Sequence, residues 1–113
     1  MKQREIWEID LDPTIGAEIK KKRPCVILND ESIGILPLKV IAPITSWNDE
    51  FEDSLWMVKI IPNRINNLKK ISVIDCFQVR AVSEMRLIKK IGEISFVELE
   101  KTKIAMKAVF DID

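Results

Sequence analysis

The chain has 113 residues, of which 47% are apolar and 32% are charged. This is the composition of a soluble globular protein, and the length predicts one domain over residues 1–113 with no room for two cores. The 18 basic and 18 acidic side chains balance, and histidine is absent. These facts exclude nucleic-acid binding by bulk positive charge, a Ser-His-Asp triad and a His-ligated metal site. Any anion-binding surface must therefore come from local segregation of charge.

The two cysteines, Cys25 and Cys76, are too few for a disulfide scaffold or a zinc site, so we expect them to be reduced and buried. No run reaches the ~20 apolar residues that a membrane span needs. No apolar signal-peptide core follows the charged segment 1–8. Together these features predict a cytoplasmic protein that does not bind membranes.

The first predicted elements are short strands. Alternation over 5–12 predicts a half-buried strand that ends at Pro13, with one apolar face formed by Trp7, Ile9 and Leu11. A loop with a basic run at its end leads to a buried strand over 25–29, and a third strand is expected over 38–44. An acidic loop over 47–54 precedes an alternating strand over 55–61.

The second half of the chain predicts one long strand and one helix. A connector over 63–70, with at most one helical turn, precedes the longest strand, over 72–82. Residues 83–91 are compatible with a short helix or a final strand. Ser95 and Glu98 form a capping box for the terminal helix, whose apolar stripe is expected to contain Phe96, Leu99, Met106 and Phe110. Strands followed by one helix predict a mainly β protein of the α+β class, in which the helix covers a small barrel or a strongly bent sheet.

The basic run Lys20, Lys21, Lys22 and Arg23 is the first candidate for chemistry. Such a run is commonly a solvated surface. However, Pro24 favours an extended backbone at Arg23, directly before a buried strand. An anchored guanidinium is suited to stabilising charge on a phosphate.

Three further groups are weaker candidates. Thr45 and Ser46 offer hydroxyl donors at a strand end, and Trp47 beside them could stack on a base. Gln78 and Arg80 share one face of the long strand, although ordinary surface placement explains them equally well. The carboxylates over 49–53 could hold Mg²⁺, but a solvated loop is the favoured interpretation, so no metal site and no cofactor are predicted.

The sequence resembles the MazF/PemK (Kid) toxins, which are the endoribonuclease partners of type II toxin–antitoxin pairs. The resemblance is carried by the segment 10–18, by Lys22-Arg23-Pro24 before the strand 26–30, by Ala42-Pro43-Ile44-Thr45-Ser46, and by 72–82 with its Gln-x-Arg pair. These motifs occur in the family's order along nearly the whole chain.

The resemblance implies an SH3-like barrel that forms a homodimer, with single-stranded RNA in a groove across the dimer. It implies sequence-specific, metal-independent cleavage of mRNA to 2′,3′-cyclic phosphate and 5′-hydroxyl ends, which inhibits translation and growth. An antitoxin would insert into the same groove, in a complex that could reach a heterohexamer. The family's catalytic arginine falls on Arg23, its threonine on Thr45 and its loop glutamate on Glu18. The RNA-binding set is expected to contain Lys20, Lys21, Lys22, Ser46, Trp47, Gln78 and Arg80.

The chemistry of RNA self-cleavage agrees with these assignments. It needs an in-line phosphate, loss of the 2′ proton and stabilisation of charge on the phosphorane. Arg23 and Thr45 supply hydrogen-bond donors for that charge. The proton acceptor is open between Glu18, a perturbed Arg23 and water. Two alternatives also stay open: a non-catalytic binder on the same fold, such as a gyrase inhibitor, and a degenerate member that only sequesters antitoxin.

Overall fold

The computed structural model of the protein describes residues 1–13, 15–18, 22–34 and 36–113. Within these ranges the chain forms β1 (Glu5–Asp10), β2 (Lys22–Ile27), β3 (Leu38–Ser46), β4 (Met57–Ile60), β5 (Ser72–Asp75), β6 (Arg80–Ser83), β7 (Leu87–Glu93) and α1 (Phe96–Phe110). Three single-turn 3-10 helices lie between strands, at Asp49–Phe51, Cys76–Gln78 and Glu84–Arg86.

The strands form one bent antiparallel sheet in the order β4-β5-β3-β2-β1-β7. β3 is the longest strand; β2 pairs with it along one edge, and two partners follow each other along the other edge. Its first part, Leu38–Ile41, pairs with β6, and its last residues, Ile44–Ser46, pair with β5. A sheet whose central strand serves two partners in this way must bend around a core. The predicted class, mainly β with a C-terminal helix, is confirmed.

The single long strand predicted over 72–82 is wrong. The 3-10 turn Cys76–Gln78 separates β5 from β6, and the Asp75 carboxylate accepts a hydrogen bond from the Phe77 backbone N–H at 3.1 Å. A short acidic side chain that caps its own turn can interrupt a ladder, and Asp75 is the one polar residue on the face that Val73 and Val79 share in the sequence. The turn lets the chain pass from one end of β3 to the other.

The other predicted elements occur with shifted ends. The strand expected over 25–29 begins earlier, so that Arg23 and Pro24 already belong to β2. The connector contains a single helical turn, closed by a 3.0 Å hydrogen bond from the Asn67 N–H to the Asn63 carbonyl. Both alternatives for 83–91 occur in succession, as a 3-10 turn and then β7.

Buried side chains form two clusters, where the sequence predicted a single core. One lies under α1 and includes Ile6, Ile44 and Leu99; the other includes Ile9 and Ile41. Neighbouring residues of β1, β2 and β3 enter different clusters, so these strands are covered on both faces. The half-buried pattern predicted for 5–12 is therefore wrong at Ile6, which is fully buried. Irregularities in the pairing of β1 with β7 accompany this arrangement.

Helix α1 starts as the sequence predicts and packs differently. The Ser95 hydroxyl accepts from the Glu98 N–H at 3.0 Å, and the Glu98 carboxylate accepts from the Ser95 N–H at 2.8 Å, which confirms the capping box. The buried residues are Leu99, Thr102 and Ala105. Phe96 and Phe110 are 70% and 56% exposed, so the predicted stripe is wrong at both ends. The helix lies against β4 and the turn Cys76–Gln78, and Met106 and Val109 extend its contact with the core toward its C-terminal end.

Both thiols are buried and free of disulfide bonds, as predicted. Burial raises the pKa of Cys25 and of Cys76 to about 12 in each case, so both stay protonated at neutral pH. Among the helices in the described part of the chain, none is both long and apolar enough to cross a membrane.

Candidate active site

The structure brings Arg23 and Thr45 together from neighbouring strands. The pairing of β2 with β3 sets Cys25 opposite Pro43, and continuing this register puts Arg23 opposite Thr45. The Arg23 Nη1 donates to the Thr45 Oγ1 at 3.1 Å. Both side chains are half-buried, and burial lowers the pKa of Arg23 from its ordinary value. The guanidinium is thus fixed at the surface by strand geometry and by a hydroxyl.

This pair lies in a groove of about 630 Å³. Among the described residues, six basic side chains line it together with one carboxylate, Glu8; the basic residues are Lys22, Arg23, Lys69, Lys70, Lys89 and Lys90. Glu8 is 3.8 Å from the Lys89 ammonium. A neutral chain has therefore gathered positive charge at one site, as an anion-binding surface requires.

Lys69, Lys70, Lys89 and Lys90 were missed by the sequence analysis. They come from the connector before β5 and from β7, and each pair is an ordinary surface doublet in the sequence. Only the fold places them beside β2 and the end of β3. Two adjacent lysines within or just before a strand are a weak signal of an anion-binding surface.

Ser46 and Lys22 line the groove, and both are exposed. Trp47 makes other contacts. Its Nε1 donates to the Asp49 carboxylate at 3.0 Å, and the Lys59 ammonium lies 4.2 Å from the ring centroid. The ring face that was expected to stack on a base is therefore engaged by Lys59. Lys20 and Lys21 lie outside the described residues.

Glu18, Gln78 and Arg80 meet in a second pocket, of about 480 Å³, which Leu11, Pro43 and Phe77 also line. The Glu18 carboxylate is 3.8 Å from the Arg80 guanidinium and accepts the Ile15 N–H at 2.7 Å. Gln78 donates to Asp75 at 2.9 Å. Gln78 closes a 3-10 turn and Arg80 opens β6, so their predicted position on one strand face is wrong.

The acidic segment 47–54 is partly a 3-10 turn. Asn48 caps it, and Asp49 bonds to Trp47. In the described part of the chain, no three His, Cys, Asp or Glu side chains converge as ligands for a metal ion. The groove instead offers a guanidinium, hydroxyls and ammonium groups, all of which donate hydrogen bonds to phosphate oxygens.

The fold and the groove together define a small antiparallel β protein with an arginine–threonine pair in a cleft lined by basic side chains. The chain belongs to the family described as PemK-like, MazF-like toxin of type II toxin–antitoxin system, whose model matches residues 2–110.

Individual relatives agree over the full length. The chain is 25% identical to Endoribonuclease MazF9 of Mycobacterium tuberculosis (strain ATCC 25618 / H37Rv), covering 99% of this chain and 98% of the relative. The solved structure of the Mycobacterium tuberculosis toxin MazF-mt6 has a TM-score of 0.78 at 25% identity, covering 97% of this chain and 99% of that one. An endoribonuclease in complex with its cognate antitoxin, from a mycobacterial species, has a TM-score of 0.80 at 12% identity, covering 100% and 97%.

Proposed function

We propose that this protein is the toxin of a type II toxin–antitoxin pair and a sequence-specific endoribonuclease that cleaves single-stranded mRNA without a metal ion. The observation that carries the proposal is the 3.1 Å contact between Arg23 and Thr45 inside a basic groove. Family membership and the endoribonuclease relative support the same activity.

In the proposed reaction the RNA supplies its own nucleophile. The 2′-oxygen attacks the adjacent phosphorus, the P–O5′ bond breaks, and the 5′-oxygen takes a proton from solvent water to become a hydroxyl. The other product is a 2′,3′-cyclic phosphate. Arg23 and Thr45 donate to the phosphorane oxygens, where negative charge develops. Donors fixed in advance are worth about 10²–10³ in rate each.

The 2′ proton is proposed to leave to solvent water. Glu18 fits the role of base poorly, because its carboxylate is held by Arg80 and by the Ile15 N–H in the neighbouring pocket. Arg23 has a lowered pKa, but a guanidinium normally stays protonated far above neutral pH. Arg23 is therefore assigned to charge stabilisation, and Gln78 and Arg80 to contacts with RNA.

The proposal includes assembly and control. The toxin acts in the cytoplasm, where its mRNA substrate is translated, and cleavage stops translation and growth. It works as a homodimer whose groove an antitoxin occupies in the inactive complex, up to a heterohexamer. A related endoribonuclease has been solved with its cognate antitoxin, which supports the partner proposed here.

Cleavage of a long single-stranded RNA in EDTA tests the proposal. We expect the protein to cut at discrete sites and to leave ends that carry cyclic phosphate and 5′-hydroxyl groups, as read by mass spectrometry. Arg23→Ala, purified in parallel, should cut about 10²–10³-fold more slowly. Arg64→Ala, which removes an exposed arginine outside the groove, should cut normally.

An absolute requirement for Mg²⁺ or Mn²⁺ would overturn the Arg23 and Thr45 mechanism. A folded protein that arrests growth but cuts no RNA would instead support a non-catalytic binder.

A further inference from the structure

The connector between β4 and β5 is attached firmly to β7. Gly92 of β7 lies so close to it that a Cβ atom there would be 2.4 Å from the Ile65 carbonyl oxygen and 2.6 Å from that of Asn66. The Glu93 N–H donates to Ile65 at 3.1 Å, and the Asn67 side chain donates to the Ile91 carbonyl at 2.9 Å. The connector therefore follows β7 closely.

Buried Asn66 holds the connector in shape. Its side-chain oxygen accepts the backbone N–H groups of Asn63 and Leu68, each at 3.0 Å, and its amide donates to the Ile61 carbonyl at 2.9 Å. Asn66 is fully buried. A buried amide with satisfied donors and acceptors fixes the surrounding backbone.

The connector places Lys69 and Lys70 in the lining of the groove. The Ser72 hydroxyl donates to the Lys70 carbonyl at 2.9 Å, and Ser72 pairs with Ser46, the residue next to Thr45. The two lysines thus lie on a fixed backbone within a few residues of the arginine–threonine pair.

The four lysines of the connector and β7 that line the groove differ in whether a carboxylate neutralises their charge. Lys90 lies 3.4 Å from Glu5 and 3.3 Å from Glu93, and Lys89 is paired with Glu8. Among the ion pairs of the described residues, neither Lys69 nor Lys70 takes part. Their charges are available to a ligand.

We infer that Lys69 and Lys70 form a phosphate-binding track that holds the RNA backbone beside the scissile phosphate, without reading its bases. The inference rests on the proposed function and extends it to residues that the arginine–threonine pair does not include. Ammonium groups bind phosphate as point charges, so this track contributes affinity that depends on salt and not on sequence.

The test is binding of a 2′-deoxy oligonucleotide, which cannot be cleaved, to the protein and to Lys69→Ala/Lys70→Ala across a range of salt concentrations. Each lost contact to a single strand should reduce the slope of log affinity against log salt by about 0.7, hence by about 1.4 for two. Lys101→Ala/Lys107→Ala, which removes the same charge from the exposed surface of α1, should leave the slope unchanged. Lys69→Arg/Lys70→Arg, which keeps both charges, should show the slope of the parental protein.

Cleavage kinetics give an independent readout. Because the track binds substrate and transition state alike, the double alanine variant should raise KM and leave kcat unchanged. The difference should vanish on an oligonucleotide too short to extend beyond the cleaved step. A kcat loss at unchanged KM, or a slope equal to that of the α1 control, would overturn the inference.

An acidic protein is the alternative partner for Lys69 and Lys70, and polyglutamate serves as its probe. If its binding depends on Lys69 and Lys70 while oligonucleotide binding does not, the track is a protein-docking surface and the inference is wrong. Absence of RNA cleavage by the parental protein would instead defeat the proposed function, so the two failures are distinguishable.

Discussion

At the scale of single residues, Arg23 should act through the shape of its guanidinium as well as through its charge. Two parallel N–H donors match two phosphate oxygens, whereas a lysine ammonium is a point charge. Arg23→Lys should therefore lose cleavage almost as completely as Arg23→Ala, by about 10²–10³. Thr45→Ser keeps the hydroxyl and should keep much of the rate, while Thr45→Val should lose most of it.

The measurement is the single-turnover cleavage rate on one RNA oligonucleotide, with circular dichroism to verify folding. Arg64→Lys, at an exposed position outside the groove, is the matched control. Folded Arg23→Ala and Thr45→Val that both cut at the parental rate would remove these residues from the mechanism.

A second residue-scale feature is Glu5, a buried carboxylate at the start of β1. Burial alone would raise its pKa, but hydrogen bonds from Trp7 and from the Lys2 N–H, the positive amino terminus and Lys90 lower it to about 2 from 4.5. A lowered folded-state pKa stabilises the protein above the unfolded pKa, and this stability is lost as the pH falls. The shift corresponds to about 3 kcal/mol.

Glu5→Gln should therefore be less stable than the parent at pH 7, and the gap should shrink as the pH falls below about 4.5 toward about 2. Urea unfolding at a series of pH values measures it. Glu52→Gln, at an exposed position, should show no such trend. A gap that stays constant over this pH range would mean that Glu5 stabilises the fold by packing and not by charge.

At the scale of elements, the contact between β7 and the connector that joins β4 to β5 should be sensitive to a small substitution. Gly92→Ala places a methyl group against two backbone carbonyls, and backbone cannot yield as a flexible side chain would. We expect a loss of about 1–3 kcal/mol and faster hydrogen exchange at the Asn67 and Glu93 amides. Gly34→Ala, where φ is +88° and the space is open, should add only local strain and leave these amides protected. Unchanged exchange in Gly92→Ala would contradict the close docking.

The elements also show why sequence patterns succeed in some places and not in others. The capping box of α1 is local, since Ser95 and Glu98 satisfy each other, and it is predicted correctly. The break between β5 and β6 depends on the Asp75 carboxylate, which accepts the Phe77 N–H, whereas apolar residues recur on both sides of Asp75 in the sequence. The apolar stripe of α1 is set by what β4 and the turn Cys76–Gln78 cover, which the helix sequence does not contain.

In the candidate site, too, the residues set by local sequence could be predicted and those set by the fold could not. Arg23 and Thr45 are predictable because each lies at the end of a predicted strand and within a motif of the family. Lys69, Lys70, Lys89 and Lys90 join them only through a sheet order that puts β7 beside β1 and β5 beside β3. Non-local pairing of this kind leaves almost no trace in a single sequence.

At the scale of the whole molecule, part of the protein surface is formed by large hydrophobic side chains. Large hydrophobic side chains that are at least 40% exposed include Leu55, Trp56, Phe77, Phe96, Ile104 and Phe110. The rings of Trp56 and Phe77 lie 6.3 Å apart and form one exposed aromatic pair. An exposed aromatic pair of this kind is a candidate contact surface for a partner chain.

We therefore expect a homodimer in solution. Light scattering of the free protein should give about twice the 13.1 kDa mass of one chain, as the closed twofold symmetry of most small homo-oligomers predicts. If the RNA groove is shared between the two chains, dilution below the dimer dissociation constant should weaken RNA binding and slow cleavage in parallel. A strict monomer at micromolar concentration that still cuts RNA would show that one chain holds a complete site, and that the exposed apolar surface serves another partner.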